Sequence, residues 1–270
     1  MKGEFSVINH TKNPNTVKSL ISDFKNLGVS KGSIIILHSS LSKIGWTIGG
    51  AVSVIKALQK TLTHDGTLVM PSFSSDNSDP YRWENPPVPE SWWGIIRQNM
   101  PAFSQEFTPT RGLGTIPETF RKFPDVYRSD HPMSSFAAWG KHAKIITKNH
   151  GLTSDLGEGS PLAHIYNLNG YILLLGVNHS NNTSLHLAEY RSTYPTKGYY
   201  ETGSAITIKN ERKWVKWKSL NHYSDDFERL GKEFEEKIGY TPKKVGLADS
   251  RLISQPEIVD FAVEWMKENR

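Results

Sequence analysis

Cysteine is absent from this chain of 270 residues. Its absence excludes disulfide bonds, thiolate metal ligands and a cysteine nucleophile, and it is compatible with a reducing compartment. Long hydrophobic runs are also absent, since no stretch approaches eighteen consecutive apolar residues and no charged-then-apolar leader opens the sequence. We therefore expect no membrane span and no export, and we predict a cytoplasmic protein.

Dense clusters of basic residues are absent as well, although the chain is basic overall. The 32 Lys and Arg residues against 27 Asp and Glu residues give a net charge of +5 and a pI near 9.2. A positive net charge suits an anionic ligand. Because the basic residues are scattered, and neither a zinc-finger spacing nor an RNA-binding aromatic signature occurs, we predict no nucleic-acid partner.

The length allows one large α/β domain or two small ones, and we predict one. Residues 1–15 are polar and are predicted to form a loose N-terminal arm, whereas residues 16–270 are predicted to form the domain. Within it, an apolar run at 33–38, a helical pattern at 51–62 and a second apolar run at 67–72 predict a strand, a helix and a parallel strand. Such a unit is a usual building block of α/β sheets.

The later part of the chain predicts further strands and helices around the same sheet. Strands are expected at 136–139, 171–177 and 245–253, a hairpin at 204–217, and an amphipathic closing helix at 256–267. The hairpin indicates antiparallel pairing. The predicted fold is therefore a single α/β domain with a mixed, largely parallel central sheet flanked by helices, plus a smaller antiparallel portion.

Residues 73–105 differ in composition from the rest of the domain. They are rich in Pro, Trp and Tyr, and the stretches PPVP at 86–89 and WW at 92–93 stand out. The prolines exclude a regular helix or an inner strand through 80–90. We interpret the segment either as a long excursion that lines a cleft with aromatic side chains or as a surface loop held by its tryptophans.

The stretch from Tyr171 to Arg191 is the strongest candidate for the chemistry. A polar turn follows its strand, and Thr183 is expected to cap a helix that continues to Arg191. His186 then falls in the first turn, with Glu189 one turn further along the same face. The positive end of the helix dipole favours a neutral imidazole that can accept a proton, whereas Glu189 acts in the opposite direction. Alternatively, His186 only forms a hydrogen bond within a buried helix start.

Three loops are candidate anion sites. Residues 39–50 follow a strand and lead into a helix, where backbone N–H groups and the helix dipole favour phosphate. This loop lacks both the Walker ending and the dinucleotide G-x-G-x-x-G pattern, so an ordinary turn is the alternative. A second loop contains Arg111, Gly112 and Gly114, and a third polar cluster contains Arg128, Ser129, His131 and Pro132.

Taken together, seven stretches resemble the aminoglycoside 3-N-acetyltransferase family, whose fold is unrelated to that of the common N-acetyltransferase superfamily. In chain order they are HSSLSKIGWTIGGAVSVIKAL, DGTLVMPS, TPTRGLGTIPETFR, RSDHP, GEGSPL, LLLGVNHSNNTSLHLAEYR and SRLISQPEIVDFAVEW. They keep a consistent order and spacing and cover most of residues 16–268. The overall length and the segments PPVPESWW and RSDHP are similar to those of Bacillus-type members.

The resemblance implies an enzyme that binds acetyl-coenzyme A as a co-substrate and transfers the acetyl group to an amine of a sugar-like polycation. The implied general base is His186, and Glu189 either holds its imidazole or pairs with a substrate ammonium. The implied cofactor contacts are Ser39, Ser40, Leu41, Ser42, Lys43, Gly45, Thr110, Arg111, Gly112, Thr115, His131 and Pro132. Among these, Arg111 is the candidate partner for a phosphate.

The implied reaction is direct transfer in a ternary complex, because the thioester is already activated and no cysteine is present. Backbone N–H groups or the Thr183 hydroxyl are candidates to stabilise the tetrahedral oxyanion. We expect no metal. The chain has ten histidines, but no pair has metal-motif spacing on one helix, which disfavours a metal-dependent hydrolase.

One position departs from the family pattern. Many members carry an aspartate six residues before the histidine, and this chain has Ser180 there. A carboxylate at that position would orient the imidazole, so its loss either lowers activity or gives the task to Glu189 or another acid. The alternatives are therefore transfer to a different amine, transfer of another acyl group, or a coenzyme A-binding protein with weak activity. The acceptor, the regiochemistry and the oligomeric state stay open at this stage.

Overall fold

A mixed sheet of seven strands forms the centre of the computed structural model, which describes residues 2–270, with side chains from residue 4 onward. The strands along the chain are β1 (Ile34–Ser39), β2 (Thr67–Pro71), β3 (Tyr127–Arg128), β4 (Phe136–Gly140), β5 (Tyr171–Leu175), β6 (Tyr199–Ile208), β7 (Glu211–Leu220), β8 (Lys243–Val245) and β9 (Ala248–Ser254). The order in the large sheet is β3-β4-β2-β1-β5-β9-β8, and β6 and β7 form a separate two-stranded sheet. The predicted mixed sheet with a smaller antiparallel portion is confirmed.

The three central strands of the large sheet are parallel to one another. β1 pairs in parallel with β2 on one side and with β5 on the other, and the remaining four pairings are antiparallel. The parallel part is therefore smaller than the sequence predicted. Because β2 and β5 lie on opposite sides of β1, the sheet has a switch point there. Such a point opens a crevice at the carboxyl ends of the parallel strands.

Helices cover both faces of the sheet. They are α1 (Lys2–His10), α2 (Val17–Leu27), α3 (Leu41–Ile44), α4 (Gly50–Leu62), α5 (Glu90–Asn99), α6 (Thr115–Phe120), α7 (Ala143–Thr147), α8 (Pro161–Asn167), α9 (Leu185–Arg191), α10 (Phe227–Ile238) and α11 (Gln255–Asn269), with short 3₁₀ helices at Pro80–Arg82, Leu152–Ser154 and His179–Asn181. Among the residues described, none of these helices has both the length and the apolar composition that crossing a membrane requires.

The side chains of β1 alternate between two cores. Ile34 and Ile36 point into the core covered by α8, α9 and α11, whereas Ile35 and Leu37 point into the core covered by α2, α4 and α6. Because both faces are covered, the strand is apolar until its last two residues, His38 and Ser39. Each buried aliphatic side chain contributes about 1.5–3 kcal/mol to the stability of the fold. The two polar residues are thereby held at the end of a rigid strand.

Capping residues mark the ends of two helices that pack on the sheet. Thr16 Oγ1 accepts a hydrogen bond from the backbone N–H of Ser19 at 3.0 Å, which forms a capping box at the start of α2. Gly28, in the left-handed region with φ 119°, ends the same helix. Ser160 caps α8 one residue before Pro161. Local chemistry therefore sets these helix ends.

The N-terminal segment is a helix rather than the predicted loose arm. Residues 2–10 form α1, and the turn after it is bonded to the loop that follows α3. Thr11 Oγ1 accepts a hydrogen bond from the Trp46 backbone N–H at 2.8 Å, and Asn15 Nδ2 donates to the Ile44 carbonyl at 2.9 Å. The prediction was wrong because a polar composition does not reveal such long-range hydrogen bonds, which hold a terminal segment in place.

The predicted hairpin is confirmed, but it is longer than expected and forms a sheet of its own. β6 and β7 pair over ten residues each. They join through Lys209 and Asn210, whose φ values of 52° and 64° belong to the two-residue turn that matches the twist of the strands.

The aromatic excursion at 73–105 packs against this hairpin. The Tyr81 hydroxyl donates to the Glu201 carbonyl at 2.7 Å, and the Phe103 backbone N–H donates to the Ala205 carbonyl at 2.8 Å. Its second half contains α5, which the sequence did not predict. The last proline of the PPVP stretch at 86–89 lies directly before the first residue of this helix.

The predicted strand at 245–253 is present from residue 248 onward as β9, but its first residues belong to a hairpin with β8. β8 and β9 turn at Gly246, which has φ 56°. A Cβ at this position would lie 2.3 Å from the carbonyl oxygen of Ile44, so glycine is required there. The prediction missed the reversal because a single glycine inside a strand pattern does not distinguish a bulge from a turn.

Candidate active site

Two adjoining cavities lie at the carboxyl end of β1, in the crevice that the switch point opens. The outer cavity, of about 710 Å³, is lined by residues of α1, of the loop at 39–47 and of the loop at 112–116. The inner cavity, of about 260 Å³, is lined among others by His38, His186 and Phe227. Both cavities share the lining residues Ser39, Gly112, Leu113, Val177 and Asn181. A ligand that fills the outer cavity can therefore extend into the inner one.

The end of β5 brings the chain to the inner cavity. Gly176 follows the strand with φ 69°, in the left-handed region that favours glycine. A Cβ on Gly176 would lie 2.7 Å from the Cβ of Lys43. The tight turn therefore requires a glycine, and it directs the following segment toward α9.

α9 begins one residue later than the sequence predicted. Ser184, not Thr183, is the N-cap residue, and its backbone N–H donates to Asn182 Oδ1 at 3.2 Å. This bond orders the turn before the helix, and Ser184 itself makes no side-chain capping hydrogen bond. His186 lies in the first turn of the helix, as predicted.

Glu189 fixes the orientation of the His186 ring. Nδ1 of His186 lies 2.6 Å from Oε2 of Glu189, whose side chain is fully buried. Because a carboxylate only accepts hydrogen bonds, Nδ1 carries the proton and Nε2 of the neutral ring keeps its lone pair. The His186 side chain is 17% exposed and lines the inner cavity.

Burial is the main reason why His186 stays neutral. Removal from water lowers the pKa of His186 below its ordinary value of 6.5, and the hydrogen bond to Glu189 opposes this shift. The positive charge of His222, whose ring centroid lies 4.6 Å away, lowers the pKa further. The lowered pKa agrees in direction with the predicted neutral imidazole, and burial is its largest cause.

Four donors surround the Glu189 carboxylate. Besides His186, these are Nδ1 of His222 at 3.3 Å, the backbone N–H of Tyr223 at 3.0 Å and Nη1 of Arg270 at 2.6 Å. Burial alone would raise the pKa of Glu189, but these hydrogen bonds hold it well below its usual range. Glu189 is therefore an anion that holds the imidazole, and its full burial leaves no surface for a substrate ammonium.

His222 and Asp155 belong to the site, although the sequence reasoning missed both. Nε2 of His222 lies 3.2 Å from Oδ2 of Asp155, and its Nδ1 faces Glu189. Burial opposes protonation, but the hydrogen bonds to the two carboxylates raise the pKa of His222 to about 9. The ring is therefore an imidazolium at neutral pH. Asp155 follows a 3₁₀ helix and His222 follows β7, so no local pattern connects them.

Arg270 also reaches the site from the end of α11. Its guanidinium donates to Glu189 and, at 2.6 Å, to Oδ1 of Asp226, and its side chain is 4% exposed. The sequence separation from Glu189 is 81 residues, which no motif spans. The folded chain therefore adds a buried cation that the sequence did not indicate.

Seven of the twelve predicted cofactor residues line the outer cavity. They are Ser39, Ser40, Leu41, Ser42, Gly45, Gly112 and Thr115. Gly50, the first residue of α4, lines the same cavity and directs the backbone N–H groups of that helix toward it. Ser39 Oγ is buried and has no hydrogen-bond partner in the described part of the chain.

Three other predicted residues lie close to the outer cavity but outside its lining. Thr110 Oγ1 donates to Glu118 at 2.8 Å, and the half-exposed guanidinium of Arg111 donates to Asp76 at 2.9 Å. Lys43 lies in α3 and is exposed to solvent. To bind a ligand, Thr110 and Arg111 would have to give up their present hydrogen bonds to Glu118 and Asp76, whereas the exposed Lys43 would not need to give up a buried position.

His131 and Pro132 are buried and line neither cavity. Nδ1 of His131 accepts a hydrogen bond from the Ser134 backbone N–H at 2.9 Å. Burial lowers the pKa of His131 to about 4, so the ring is neutral. These two residues lie in the turn before β4 and are separate from the lining of both cavities.

The aromatic excursion contributes no residue to the lining of the two cavities among the residues described. Trp83 Nε1 donates to Ser78 Oγ at 2.9 Å, which ties the loop to itself, whereas Trp92 is exposed. Of the two interpretations offered for this segment, the structure agrees with a surface segment held by its own side chains and by the hairpin.

The cluster of His186, Glu189 and His222 also raises the question of a metal site. The ligand atoms of His186, Glu189 and His222 lie within 4.8 Å of one another. However, the carboxylate already pairs with Arg270, and His222 is protonated between two acids. A divalent cation would have to displace a proton and compete with the guanidinium, which is unfavourable. The cluster is better described as a hydrogen-bonded charge network.

The sequence matches the family model described as aminoglycoside 3-N-acetyltransferase over residues 36–267. It is 46% identical over 264 residues to the SPbeta prophage-derived aminoglycoside N(3')-acetyltransferase-like protein YokD of Bacillus subtilis strain 168, with 97% of this chain and 96% of the relative covered. The crystal structure of YokD superposes with a TM-score of 0.93 over 97% of each chain.

Two solved complexes are similar over nearly the whole chain. AAC-IIIb, solved as a binary complex with CoASH, is 28% identical with a TM-score of 0.84, covering 95% of this chain and 97% of that one. AAC-VIa bound to sisomicin is 27% identical with a TM-score of 0.84, covering 96% of this chain and 99% of that one. The predicted fold class agrees with these neighbours.

Proposed function

This chain belongs to the aminoglycoside 3-N-acetyltransferase family, and from that membership we propose that it transfers the acetyl group of acetyl-coenzyme A to the 3-amino group of an aminoglycoside-type substrate. The observation that carries the proposal is the His186 ring, which lines the inner cavity while buried Glu189 holds its Nδ1. Since the two cavities adjoin, a donor in the outer cavity and an amine in the inner one meet at this ring.

The outer cavity suits coenzyme A. Its volume of about 710 Å³ is large, and loops with backbone N–H groups and hydroxyls line it. The unpartnered Oγ of Ser39 is free to donate to a ligand. The proposed contacts are Ser39, Ser40, Leu41, Ser42, Gly45, Gly112 and Thr115, with Lys43, Thr110 and Arg111 close to the rim. The solved complex of AAC-IIIb with CoASH supports the same ligand class.

The substrate ammonium first releases one proton to solvent. The lone pair of the neutral amine then forms the N–C bond while the carbonyl electron pair moves onto oxygen, and His186 accepts the second nitrogen proton at Nε2. The electron pair then returns, the C–S bond breaks, and the leaving thiolate takes the proton from the His186 imidazolium. The imidazolium that forms on His186 is stabilised by anionic Glu189. No covalent intermediate on the protein is needed.

The acceptor is proposed to be a polycationic amino sugar. The complex of AAC-VIa with sisomicin supports this substrate class. The inner cavity offers polar lining from Ser180, Asn181, Asn182, Thr183 and Ser224. Glu189 is not among the groups that can pair with a substrate ammonium, because it is fully buried.

The test is thiol release from acetyl-coenzyme A over a panel of aminoglycosides, with the acetylated position identified by NMR. Because the chain has no cysteine, a thiol reagent reports coenzyme A alone. His186→Gln is expected to lower kcat by roughly a hundredfold or more, the usual value of a general base. Coenzyme A affinity, measured by calorimetry, should stay nearly unchanged.

Two outcomes would contradict the proposal. If no amine raises thiol release above the buffer rate while coenzyme A still binds, the protein is a coenzyme A-binding protein and not this enzyme. If His186→Gln keeps full activity, another group is the base. His64→Gln is the matched control, because this histidine lies in the turn before β2, outside both cavities.

A second candidate is acetylation of a less charged amine, such as an endogenous amino sugar. Ser180 favours it, because a neutral hydroxyl lies at the inner cavity where many family members carry an aspartate. Without a carboxylate at position 180, an acceptor gains less binding energy from a high positive charge, so a less charged amine is at a smaller disadvantage. The same amine panel separates the two candidates, since kcat/KM should be greater for monoamino sugars than for polyamino ones if this candidate is correct.

A further inference from the structure

His38 is the polar residue that the alternation of β1 places beneath α9. Ile34 and Ile36 point into the core that contains Leu185 and Leu187 of α9, so His38, two residues further, points to the same side of the sheet. It lies opposite Leu174 of β5 in the parallel register. Its side chain lines the inner cavity together with His186.

The His38 ring has an unused hydrogen-bonding group. The residue is 7% exposed, and its Nε2 atom is buried with no hydrogen-bond partner within the described part of the chain. Folded proteins rarely leave such an atom unpaired unless a ligand, a water or a functional role completes the bond. The inner cavity is the place from which a ligand can reach this ring.

His38 is harder to protonate than His186. Burial lowers the pKa of His38 to about 3, and the nearby charge of His186 acts in the same direction. His186 has Glu189 to stabilise its charged form, whereas the described residues place no carboxylate in hydrogen-bond contact with His38. His38 is therefore a poor base and a neutral imidazole with one N–H donor at neutral pH.

We propose that His38 is a second catalytic residue, whose ring N–H donates a hydrogen bond to the acetyl carbonyl oxygen and stabilises the tetrahedral oxyanion. The inference rests on the proposed function, because it requires the acetyl group of a donor in the outer cavity to reach into the inner one. As the amine forms its bond to carbon, the carbonyl electron pair moves onto oxygen, and the His38 N–H faces that growing charge. The pair then returns as the C–S bond breaks. His38 keeps its proton throughout.

A neutral donor fits this task better than a charged one. It stabilises the oxyanion without repelling a cationic amine, and a strand end holds it in place before the reaction begins. The sequence reasoning had offered backbone N–H groups or the Thr183 hydroxyl for this role. Thr183 also lines the inner cavity, so it serves as the competing residue in the test.

The test compares His38→Phe, which removes the donor and keeps the ring shape, with His38→Gln, which keeps an N–H donor. Acetyl-coenzyme A labelled with ¹³C at the carbonyl is bound without an acceptor, and the carbonyl stretch is read by difference infrared spectroscopy. In His38→Phe the band should move to higher wavenumber, because a hydrogen bond to the oxygen is lost. His38→Gln should give an intermediate band, and Thr183→Val should leave it in place.

Kinetics provide the second readout. We expect His38→Phe to lower kcat by about 10²–10³-fold, the usual effect of one oxyanion donor. The affinity for coenzyme A and the apparent pKa of the kcat/KM profile should not change, because the base is His186. His38→Gln should recover part of the rate. If His38→Phe does not fold, His38→Leu replaces it in the same comparison.

The possible failures are distinct. If the wild-type protein does not bind acetyl-coenzyme A, the proposed function fails and this inference fails with it. If the wild type binds the donor but the carbonyl band is the same in wild type and His38→Phe, the inference alone is overturned. A band that moves in Thr183→Val and not in His38→Phe assigns the oxyanion contact to Thr183.

Discussion

Ser180 is the residue at which this chain departs from the family pattern. It lines the inner cavity, and its hydroxyl donates to Asn178 Oδ1 at 2.5 Å. Nδ1 of His186 is already bonded to Glu189, so a carboxylate at position 180 is not required to orient the ring. This hydrogen bond supports Glu189 as the acid that takes over the orienting task.

We therefore predict that Ser180→Asp acts on binding and not on turnover. The added charge attracts a polycationic acceptor by about 1 kcal/mol at short range in water, which corresponds to a KM roughly fivefold lower. kcat should change little. Steady-state kinetics with one aminoglycoside check this, and Ser180→Asn is the uncharged control. A higher kcat at constant KM would mean that the new acid acts on the imidazole instead.

His222 makes the stability of the fold depend on pH. Its pKa is raised from 6.5 to about 9 in the folded state, and its side chain is 20% exposed. The resulting stability is fully present below pH 6.5 and is lost as the pH rises through about 9. The free energy of unfolding should therefore fall by about 3 kcal/mol across this window from His222 alone, since one pKa unit corresponds to about 1.4 kcal/mol.

His222→Gln should flatten this decline. Urea unfolding of the wild type and the variant at pH 6.5, 7.5 and 9 measures it, using the midpoint and a common m-value. Asp155 and Glu189 stay ionised across this range, because hydrogen bonds hold the pKa of each below its usual range. Equal slopes for the two proteins would show that His222 is not the titrating group.

At the scale of single elements, the turn after β5 is the tightest point on the path to α9 that a glycine makes possible. Gly176 combines a left-handed backbone with a close approach to Lys43. Gly239, the residue after α10, has a similar φ of 64° but open space where a Cβ would lie. A comparison of substitutions at these two glycines therefore distinguishes the effect of the left-handed backbone from the effect of steric contact.

Gly176→Ala should lower the free energy of unfolding more than Gly239→Ala. The left-handed backbone alone costs about 1–2 kcal/mol for an L-residue, and both variants bear this cost. Gly176→Ala must also displace Lys43 and shift the segment that leads to His186, so its KM for acetyl-coenzyme A should rise as well. Urea unfolding and steady-state kinetics measure both effects. Equal losses in the two variants, with unchanged kinetics, would contradict the steric argument.

At the scale of the whole molecule, α11 and the active site form one electrostatic unit. Arg270 bridges Glu189 and Asp226 with a nearly buried side chain, so the far end of the chain supports the residue that orients His186. Removing one partner of a buried ion pair leaves the other charge uncompensated, which costs about 3–5 kcal/mol.

Arg270→Met should therefore lower the free energy of unfolding by roughly 3 kcal/mol. Lys267→Met, which breaks an exposed pair with Glu264 on the same helix, is the matched control and should change stability by less than about 1 kcal/mol. A double-mutant cycle with Glu189→Gln measures the coupling directly. A coupling energy near zero would show that the guanidinium and the carboxylate do not stabilise each other.

Much of the fold follows from local patterns in the sequence. The continuous apolar run at 33–38, the caps at Thr16 and Ser160, and the hairpin turn at 209–210 each carry a signal within a few residues. The elements that were missed or misread, α1, α5 and the β8–β9 turn, depend on distant partners. Thr11 is held by Trp46, and Gly246 is required because of Ile44.

The sequence by itself determined the central strands, the first-turn position of His186 with Glu189 one turn later, and the family to which the chain belongs. Only the tertiary structure decided that His38, His222, Asp155 and Arg270 join that pair, and that His131 does not line the site. The physical reason is that hydrophobic periodicity and capping act over one turn or one strand. Burial and charge depend on which distant segments the sheet brings together, and these set the protonation of each group.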